Sequence, residues 1–281
     1  MKKKFISICI PVFNEEKNIV LLIKKIESFF LKNLNNFNYE IIFSDNKSTD
    51  DTIKTILKIR SKNKKIKLIS NKKNIGYDLS VYKNLTNSKG DAAIVIDCDM
   101  QDPVNLIKVF IDKWLNGFDI VYGVRKRRLE PFFFHFWRKL FYLVAYKFSK
   151  KKYPLYASDF RLLDRSIIKK IKNYKDVIYT RNLPFQFSKN SYGVKYNRNF
   201  RKRGKSKFGF ISATLYALKY FISQTFLFHT LFFISYLINL IFLTFSFEFF
   251  FDKLLLFTFL LNIIFLLYSK KIKSDQDKLL N

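Results

Sequence analysis

AAIVIDCDMQDP, residues 92–103, joins two unlike halves. The first five residues are apolar and mostly small or β-branched, and from Asp97 onward three carboxylates and an amide follow within six positions. A short apolar run bounded by polar residues reads as a buried strand, which here delivers acidic groups at its carboxyl end. Similar apolar runs lie at 5–10, 39–43, 66–69 and 118–122, with helical patterns between them at about 16–31, 51–60, 78–87 and 104–115. Ile19, Leu22, Ile23 and Ile26, at i, i+3, i+4 and i+7, carry that period in the first helix. Strands alternating with helices predict an α/β domain with a mostly parallel sheet covered on both faces, which binds ligands outside the carboxyl ends of its strands. The residues just after each strand are therefore the candidate site.

Polar residues concentrate at those positions. PVFNE (11–15) comes after the first strand, SDNKSTDDT (44–52) after the second and DCDMQDP (97–103) after the fourth. Two carboxylates two residues apart, with an amide next, supply oxygens for a hard divalent cation, Mg2+ or Mn2+, that also takes phosphate oxygens. Singly, each stretch has a plainer reading: Ser48 to Asp50 as a helix N-cap, Asp-x-Asp as a turn, Phe13 as core. Their joint placement at successive strand ends favours one shared site.

With these residues in place, the chain resembles the family 2 nucleotide-sugar glycosyltransferases of the A-type, Rossmann-like fold. DCDMQDP resembles the D-x-D-L-Q-D-P signature of the branch that contains dolichyl-phosphate mannose synthase and bacterial polyprenyl-phosphate glycosyltransferases. PVFNE is similar to P-x-Y-N-E, SDNKSTDDT to D-[DN]-x-S-x-D-x-T, Asn74-Ile75-Gly76 to N-x-G and Gly123-Val124-Arg125 to G-x-R. DFRL (159–162) matches D-F-R-L, and RKRGKSK (201–207) matches R-x-x-G-x-S-K, so the likeness covers about residues 5–208.

The resemblance implies that Pro11, Phe13 and Asp45 hold the nucleotide base, with Glu15 near the ribose. It implies that Asp97 contacts the nucleoside diphosphate, that Asp99 and Gln101 ligate Mg2+ or Mn2+, and that Arg201 and Lys207 reach the diphosphate. Arg125 and Arg138, with Tyr142, would face an acceptor phosphate. The family's usual Tyr is here Phe13, which keeps a stacking face and loses a hydroxyl, and Tyr142 stands where some members have Ser. Asp159 corresponds either to a catalytic base or to a carboxylate that orients Arg161 and its neighbours. The implied reaction is inverting transfer of a sugar from a nucleotide sugar, UDP-glucose or another UDP-sugar, to polyprenyl phosphate, in cell-envelope glycan or lipopolysaccharide modification. The alternative is a hydroxyl acceptor on a glycan or lipid-linked oligosaccharide.

Composition sets the surroundings of that chemistry. The 281 residues carry a net charge of +30 and are 49% hydrophobic, which excludes a disordered chain. Cys9 and Cys98 show no metal or disulfide spacing, and this excludes a zinc knuckle or disulfide scaffold. The charge calls for anionic partners, nucleic acid or membrane phospholipid. Residues 226–247 hold no formal charge and as a helix would be about 33 Å long, enough for a bilayer core of about 30 Å. A second apolar run at 254–268 comes after a short charged connector at 248–253, and is itself trailed by Lys270, Lys271 and Lys273. This pattern predicts a transmembrane hairpin within 224–270 and a cytoplasmic tail at 271–281, with the catalytic part, 1–205, also on the cytoplasmic side of the inner membrane.

Between the two parts lie amphipathic segments. Residues 125–152 hold ten basic residues and one acidic one, and Trp137, Phe141, Val144 and Phe148 recur at helical spacing. These features predict an interface helix at about 131–150. Ile211, Leu215, Leu218 and Ile222 repeat the pattern in a juxtamembrane helix at 206–223. The N-terminal MKKKFISICIPVF lacks a small-residue cleavage site and reads as a first strand, not a signal peptide. A processive polysaccharide synthase is disfavoured because neither Trp114 nor Trp137 follows an arginine, so Q-x-x-R-W is missing. A nucleic-acid binder is disfavoured because the basic residues track the predicted membrane face. The expected partners are thus donor, lipid acceptor and membrane, with homo-oligomerisation left open.

Overall fold

The structure, a computed structural model, describes residues 3–126, 154, 157–176, 178–201 and 248–280. The chain divides into two compact units, Met1–Leu129 with Tyr153–Lys205, and Glu130–Lys152 with Ser206–Asn281. The described elements of the first run β1 (Phe5–Val12), α1 (Glu16–Asn33), β2 (Asn38–Asp45), α2 (Thr52–Arg60), β3 (Ile66–Ser70), α3 (Gly76–Asn87), β4 (Ala92–Val95), α4 (Leu106–Leu115) and β5 (Ile120–Arg125). After them come β6 (Ala157–Asp164), α5 (Arg165–Lys172), α6 (Leu183–Phe187) and β7 (Ser191–Tyr196). Seven strands form one sheet in the order β3-β2-β1-β4-β6-β5-β7. Neighbours are parallel except β6, which runs antiparallel to β4 and β5.

The alternation within β1 explains the layering. Ile6, Ile8, Ile10 and Val12 join Ile19, Leu22, Ile23, Ile26 and Phe30 of α1 and Ile107, Phe110 and Ile111 of α4 in one core. Ser7 and Cys9 on the opposite face are also fully buried, so this central strand reads as an unbroken run, as expected of a parallel strand covered on both faces. Ser7 Oγ donates to Glu40 Oε1 at 2.6 Å and accepts from the Gly90 N–H at 2.8 Å. A Cβ at Gly90 would stand 2.6 Å from Ser7 N and from Ala92 O, so only glycine lets the chain pass into β4.

Strand ends place the site. Register pairs Val12 with Asp45 and Cys9 with Val95, so the loops after β1, β2 and β4 open side by side. Pro11 is buried within β1 opposite Ser44, and its missing N–H falls just beyond the last β1–β4 pair, where β4 leaves the sheet toward Asp97. Each of the three loops turns through a non-glycine residue in the left-handed region: Asn14 (φ 51°), Lys47 (φ 60°) and Met100 (φ 62°). Asn tolerates that conformation, but Lys and Met carry strain there, and such strain clusters where a loop must aim its neighbours.

In the second unit α7 spans Glu248–Leu280. It corrects the sequence reading once, since residues 248–253 are its first turns instead of a connector between spans, and it continues through 271–280 of the expected tail. The segment contains no Gly or Pro, and charged residues alter what a helix faces without ending it. Among the described residues no helix is long and apolar enough to cross a membrane. The 226–247 run and the expected helices at 131–150 and 206–223 lie outside the described residues, as do Arg138, Tyr142 and Lys207.

Candidate active site

The loops after β1 and β2 are bolted together by the side chains of the S-T-D-D-T stretch. The Asn14 N–H donates to Ser48 Oγ at 2.8 Å, the Glu15 N–H to Thr52 Oγ1 at 2.8 Å, and the Thr49 N–H to Asn14 Oδ1 at 2.7 Å. Asp50 accepts from the Thr52 N–H at 3.0 Å, capping the first turn of α2, and from the Glu16 N–H at 3.3 Å. These residues are scaffold. Asp45 is different: it is fully buried, its Oδ2 accepts from the Ser48 N–H at 3.0 Å, and its Oδ1 has no hydrogen-bond partner among the described residues. A buried lone acceptor is open to an N–H donor of a ligand, and Phe13, which follows the last residue of β1, is half-buried. Glu15 is held by Asn18 at 2.7 Å and by Arg201 Nη2 at 2.8 Å, so the RKRGKSK stretch starts against this loop.

The β4 loop is the acidic centre. Gln101 N–H donates to Asp99 Oδ1 at 3.1 Å, and the Tyr77 hydroxyl donates to Asp97 Oδ1 at 3.0 Å. Arg198 Nη2 lies 3.4 Å from Asp97 Oδ2 and 3.5 Å from Asp99 Oδ2, while Arg201 Nη1 lies 4.0 Å from Asp99 Oδ2. Burial and the neighbouring Asp102, Asp159 and Asp99 push Asp97 up to about 7, against the pull of Arg198. Among the described residues no three acidic, His or Cys side chains form a ready metal cage. The donors nonetheless fit Mg2+ or Mn2+, because such an ion takes one or two carboxylates and completes its shell with phosphate oxygens and water. Asp99 and Asp97 already gather cationic groups in this structure, and an oxygen donor set suits a hard cation.

The reversed direction of β6 brings DFRL into the same place. Arg161 pairs with Val95 on one side and Tyr122 on the other, so Asp159, two residues earlier, reaches the carboxyl ends of β4 and β5. Its Oδ1 accepts from Arg161 Nη2 at 3.0 Å and Arg181 Nε at 3.3 Å, and its Oδ2 from Arg181 Nη2 at 2.6 Å. Burial would raise this carboxyl, but Arg181 and Arg161 outweigh it and hold Asp159 well below the usual carboxylate range. Arg161, itself buried, also donates to the carbonyls of Thr180 and Arg181 at 3.0 and 2.8 Å. Asp78 accepts from the Thr180 N–H and hydroxyl at 2.7 and 2.8 Å, so the segment that carries Arg181 is tied to α3.

Arg125 closes the β5 side. Its Nε donates to the Tyr196 hydroxyl at 3.4 Å, and that hydroxyl donates to Asp102 Oδ1 at 2.6 Å. Two residues before it, a Cβ at Gly123 would meet Tyr196 Cε1 at 2.5 Å, so the glycine of G-x-R makes room for the ring that aims the arginine. The structure thus brings together Phe13, Glu15, Asp45, Asp97, Asp99, Gln101, Arg125, Asp159 and Arg201 around one end of the sheet. Sequence reading did not single out Tyr77, Arg181, Tyr196 or Arg198. None belongs to a spaced motif: Tyr77 enters from the first turn of α3, and the other three through a strand or loop whose direction the sequence did not reveal.

The model of glycosyl transferase family 2 matches residues 7–172. An uncharacterized glycosyltransferase of Synechocystis is 33% identical over 219 residues, 76% of this chain and 67% of that protein. The bactoprenol glucosyl transferase of Shigella phage SfX is 32% identical over 209 residues, 72% of this chain and 67% of that protein. The chain spans about two thirds of the length of these relatives. In fold it is similar to glucosyl-3-phosphoglycerate synthase of Mycobacterium tuberculosis, solved with Mn2+, UDP and glucosyl-3-phosphoglycerate, at a TM-score of 0.52 and 20% identity, over 76% of this chain and 78% of that one. The match of the family model over more than half of the chain, onto a sheet whose loops carry the acidic centre, means that the chain belongs to glycosyl transferase family 2.

Proposed function

We propose that the protein is a membrane-bound inverting glycosyltransferase that moves a sugar from UDP-glucose or a related UDP-sugar to a polyprenyl phosphate such as undecaprenyl phosphate. The observation that carries this reading is the state of Asp159. A hydroxyl acceptor needs a general base with a pKa near the working pH, and both oxygens of Asp159 are spent on arginines that hold it ionised. A lipid monophosphate has a second pKa of about 6, is largely dianionic at neutral pH, and needs cations to place its oxygen and no strong base. Arg125 stands on that side of the site, and the resemblance adds Arg138. The name of the phage relative, a bactoprenol glucosyl transferase, supports the same acceptor class.

In this reading Phe13 and Asp45 bind the base, Glu15 faces the ribose, and Asp97, Arg201 and Lys207 face the diphosphate. Asp99 and Gln101 would hold Mg2+ or Mn2+, which supplies charge stabilisation to the departing nucleoside diphosphate. Asp159 acts by orienting Arg161 and Arg181, and the acceptor phosphate lies against Arg125 on the face of C1 opposite the leaving group. Membrane attachment rests on the uncharged 226–247 run, on the basic amphipathic 131–150 segment, and on an exposed stripe of α7, Leu260, Ile263, Ile264 and Leu267, at i, i+3, i+4 and i+7.

The test supplies the full-length protein in detergent with Mn2+, a panel of radiolabelled UDP-sugars, and either undecaprenyl phosphate or undecaprenol. The expected product forms on the phosphate and not on the alcohol, and Arg125→Ala loses about ten- to a hundredfold of that transfer, the worth of a charge-assisted contact. Transfer to the alcohol, or to a glycan hydroxyl in preference to the phosphate, overturns the reading.

A further inference from the structure

Arginines in this site are not equally held. Arg181 bonds Asp159 at 2.6 Å and Arg201 bonds Glu15 at 2.8 Å, both full-strength charge-assisted contacts. Among the described residues Arg198 has no contact of that quality. Its Nη2 stands 3.4 and 3.5 Å from Asp97 and Asp99, and its Nε stands 3.6 Å from Asp102 Oδ1 and makes no hydrogen bond to any described residue. Asp102 Oδ1 instead accepts a short bond, 2.6 Å, from the Tyr196 hydroxyl. One guanidinium therefore hovers among three carboxylates, one of which, Asp99, would hold the divalent cation while Asp97 faces the diphosphate.

The backbone beneath Arg198 is fixed. The Asn199 N–H donates to the Gln101 carbonyl at 2.9 Å, and Gln101 Nε2 donates back to the Asn199 carbonyl at 3.1 Å, so this loop is stapled to the acidic loop. A long side chain on a pinned backbone can change partners without moving the chain. A divalent ion on Asp99 and a guanidinium 3.5 Å from that carboxylate repel each other, so each weakens the other's hold on it. The anion that such an ion brings with it is a diphosphate, and a guanidinium fork matches phosphate oxygens in a bidentate contact.

We propose that Arg198 is an exchangeable counter-cation of the donor site: it bridges Asp97 and Asp99 before the donor binds, is displaced by the divalent ion, and passes to the diphosphate. The exchange keeps two carboxylates from repelling each other in the free enzyme and couples metal binding to nucleotide binding. It rests on the donor-site reading given above, and its test reads binding instead of turnover.

Mn2+ binding to the full-length protein in detergent is measured by the loss of free-ion paramagnetic resonance, without nucleotide and with UDP, and UDP affinity is measured calorimetrically in saturating Mn2+. Arg198→Gln should bind Mn2+ alone about tenfold more tightly, because a positive charge beside Asp99 no longer opposes the ion, and should bind UDP with Mn2+ about tenfold or more weakly. Arg198→Lys, which keeps the charge and the fold, should fall between the two on both scales. Arg201→Gln removes an equal charge 4.0 Å from Asp99 and should weaken UDP binding while changing the affinity for Mn2+ alone far less. An Arg198→Gln affinity for Mn2+ equal to wild type, or an equal tightening in Arg201→Gln, overturns the exchange and leaves only a diffuse field effect. Wild-type protein that binds no Mn2+ even with UDP overturns the donor-site reading itself, and the exchange with it.

Discussion

Asp159→Asn separates the two roles that a carboxylate in this place can have. The substitution keeps the shape of the side chain and removes the negative charge opposite Arg161 and Arg181. Arg161 has a side chain that is 3% exposed, so its guanidinium would stay buried without its counter-charge. Breaking a buried pair by removing one partner costs about 3–5 kcal/mol, and the low end applies here because two carbonyls still accept from Arg161. A loss of roughly 3 kcal/mol in a unit of this size lowers the melting temperature by about 6–12 °C. The pH dependence has a definite sign. A folded carboxyl held below its unfolded value, about 3.9, contributes stability that is present above that pH and is lost as pH falls toward the folded value. Melting curves of wild type and Asp159→Asn in detergent should therefore be separated by a constant gap from about pH 5 to 8 that narrows below about pH 4. A base would show the reverse pattern, with unchanged melting and a turnover loss of about a hundred- to ten-thousandfold. Coincident melting curves at pH 7 would refute the orienting role.

Three further outcomes are tied to particular residues. Asp99→Ala should abolish metal-dependent transfer while the protein melts within a few degrees of wild type, and full wild-type turnover in excess EDTA would remove the metal from the reaction. Lys47→Gly should raise stability by about 0.5–1 kcal/mol in denaturant titration, because Lys47 is exposed and sits at φ 60°, where glycine relieves a left-handed strain; a destabilised variant would show that the loop needs the lysine side chain. The uncharged run at 226–247 is the proposed span, and it puts position 252 across the bilayer from the catalytic unit. A cysteine at 252 should then react with an impermeant maleimide in intact cells while one at the exposed Lys47 should not, and the opposite labelling would reverse the proposed orientation.

The strand and helix pattern from 5 to 122 was legible because each parallel strand is a short run buried on both faces and each helix repeats its apolar face every three to four residues. The acidic centre was legible for a related reason. A buried strand that ends just before Asp97 must release the next residues to the sheet's edge, so Asp97, Asp99 and Gln101 were placed by local pattern alone. Segment 248–253 was misread because charge was taken as a break, whereas this stretch has no Gly or Pro to end a helix.

Sequence by itself determined the sheet end where chemistry concentrates and the family to which the chain belongs, since both rest on contiguous stretches whose meaning is local. Only the tertiary structure decided what those residues do to one another. The antiparallel β6 turns DFRL around and sets Asp159 beside Asp97, and the return of β7 lays Tyr196 against Gly123 and Arg198 across three carboxylates. Partners 20 to 190 residues apart leave no spacing to read, and the direction of a strand is fixed by packing across the sheet, not by its own residues.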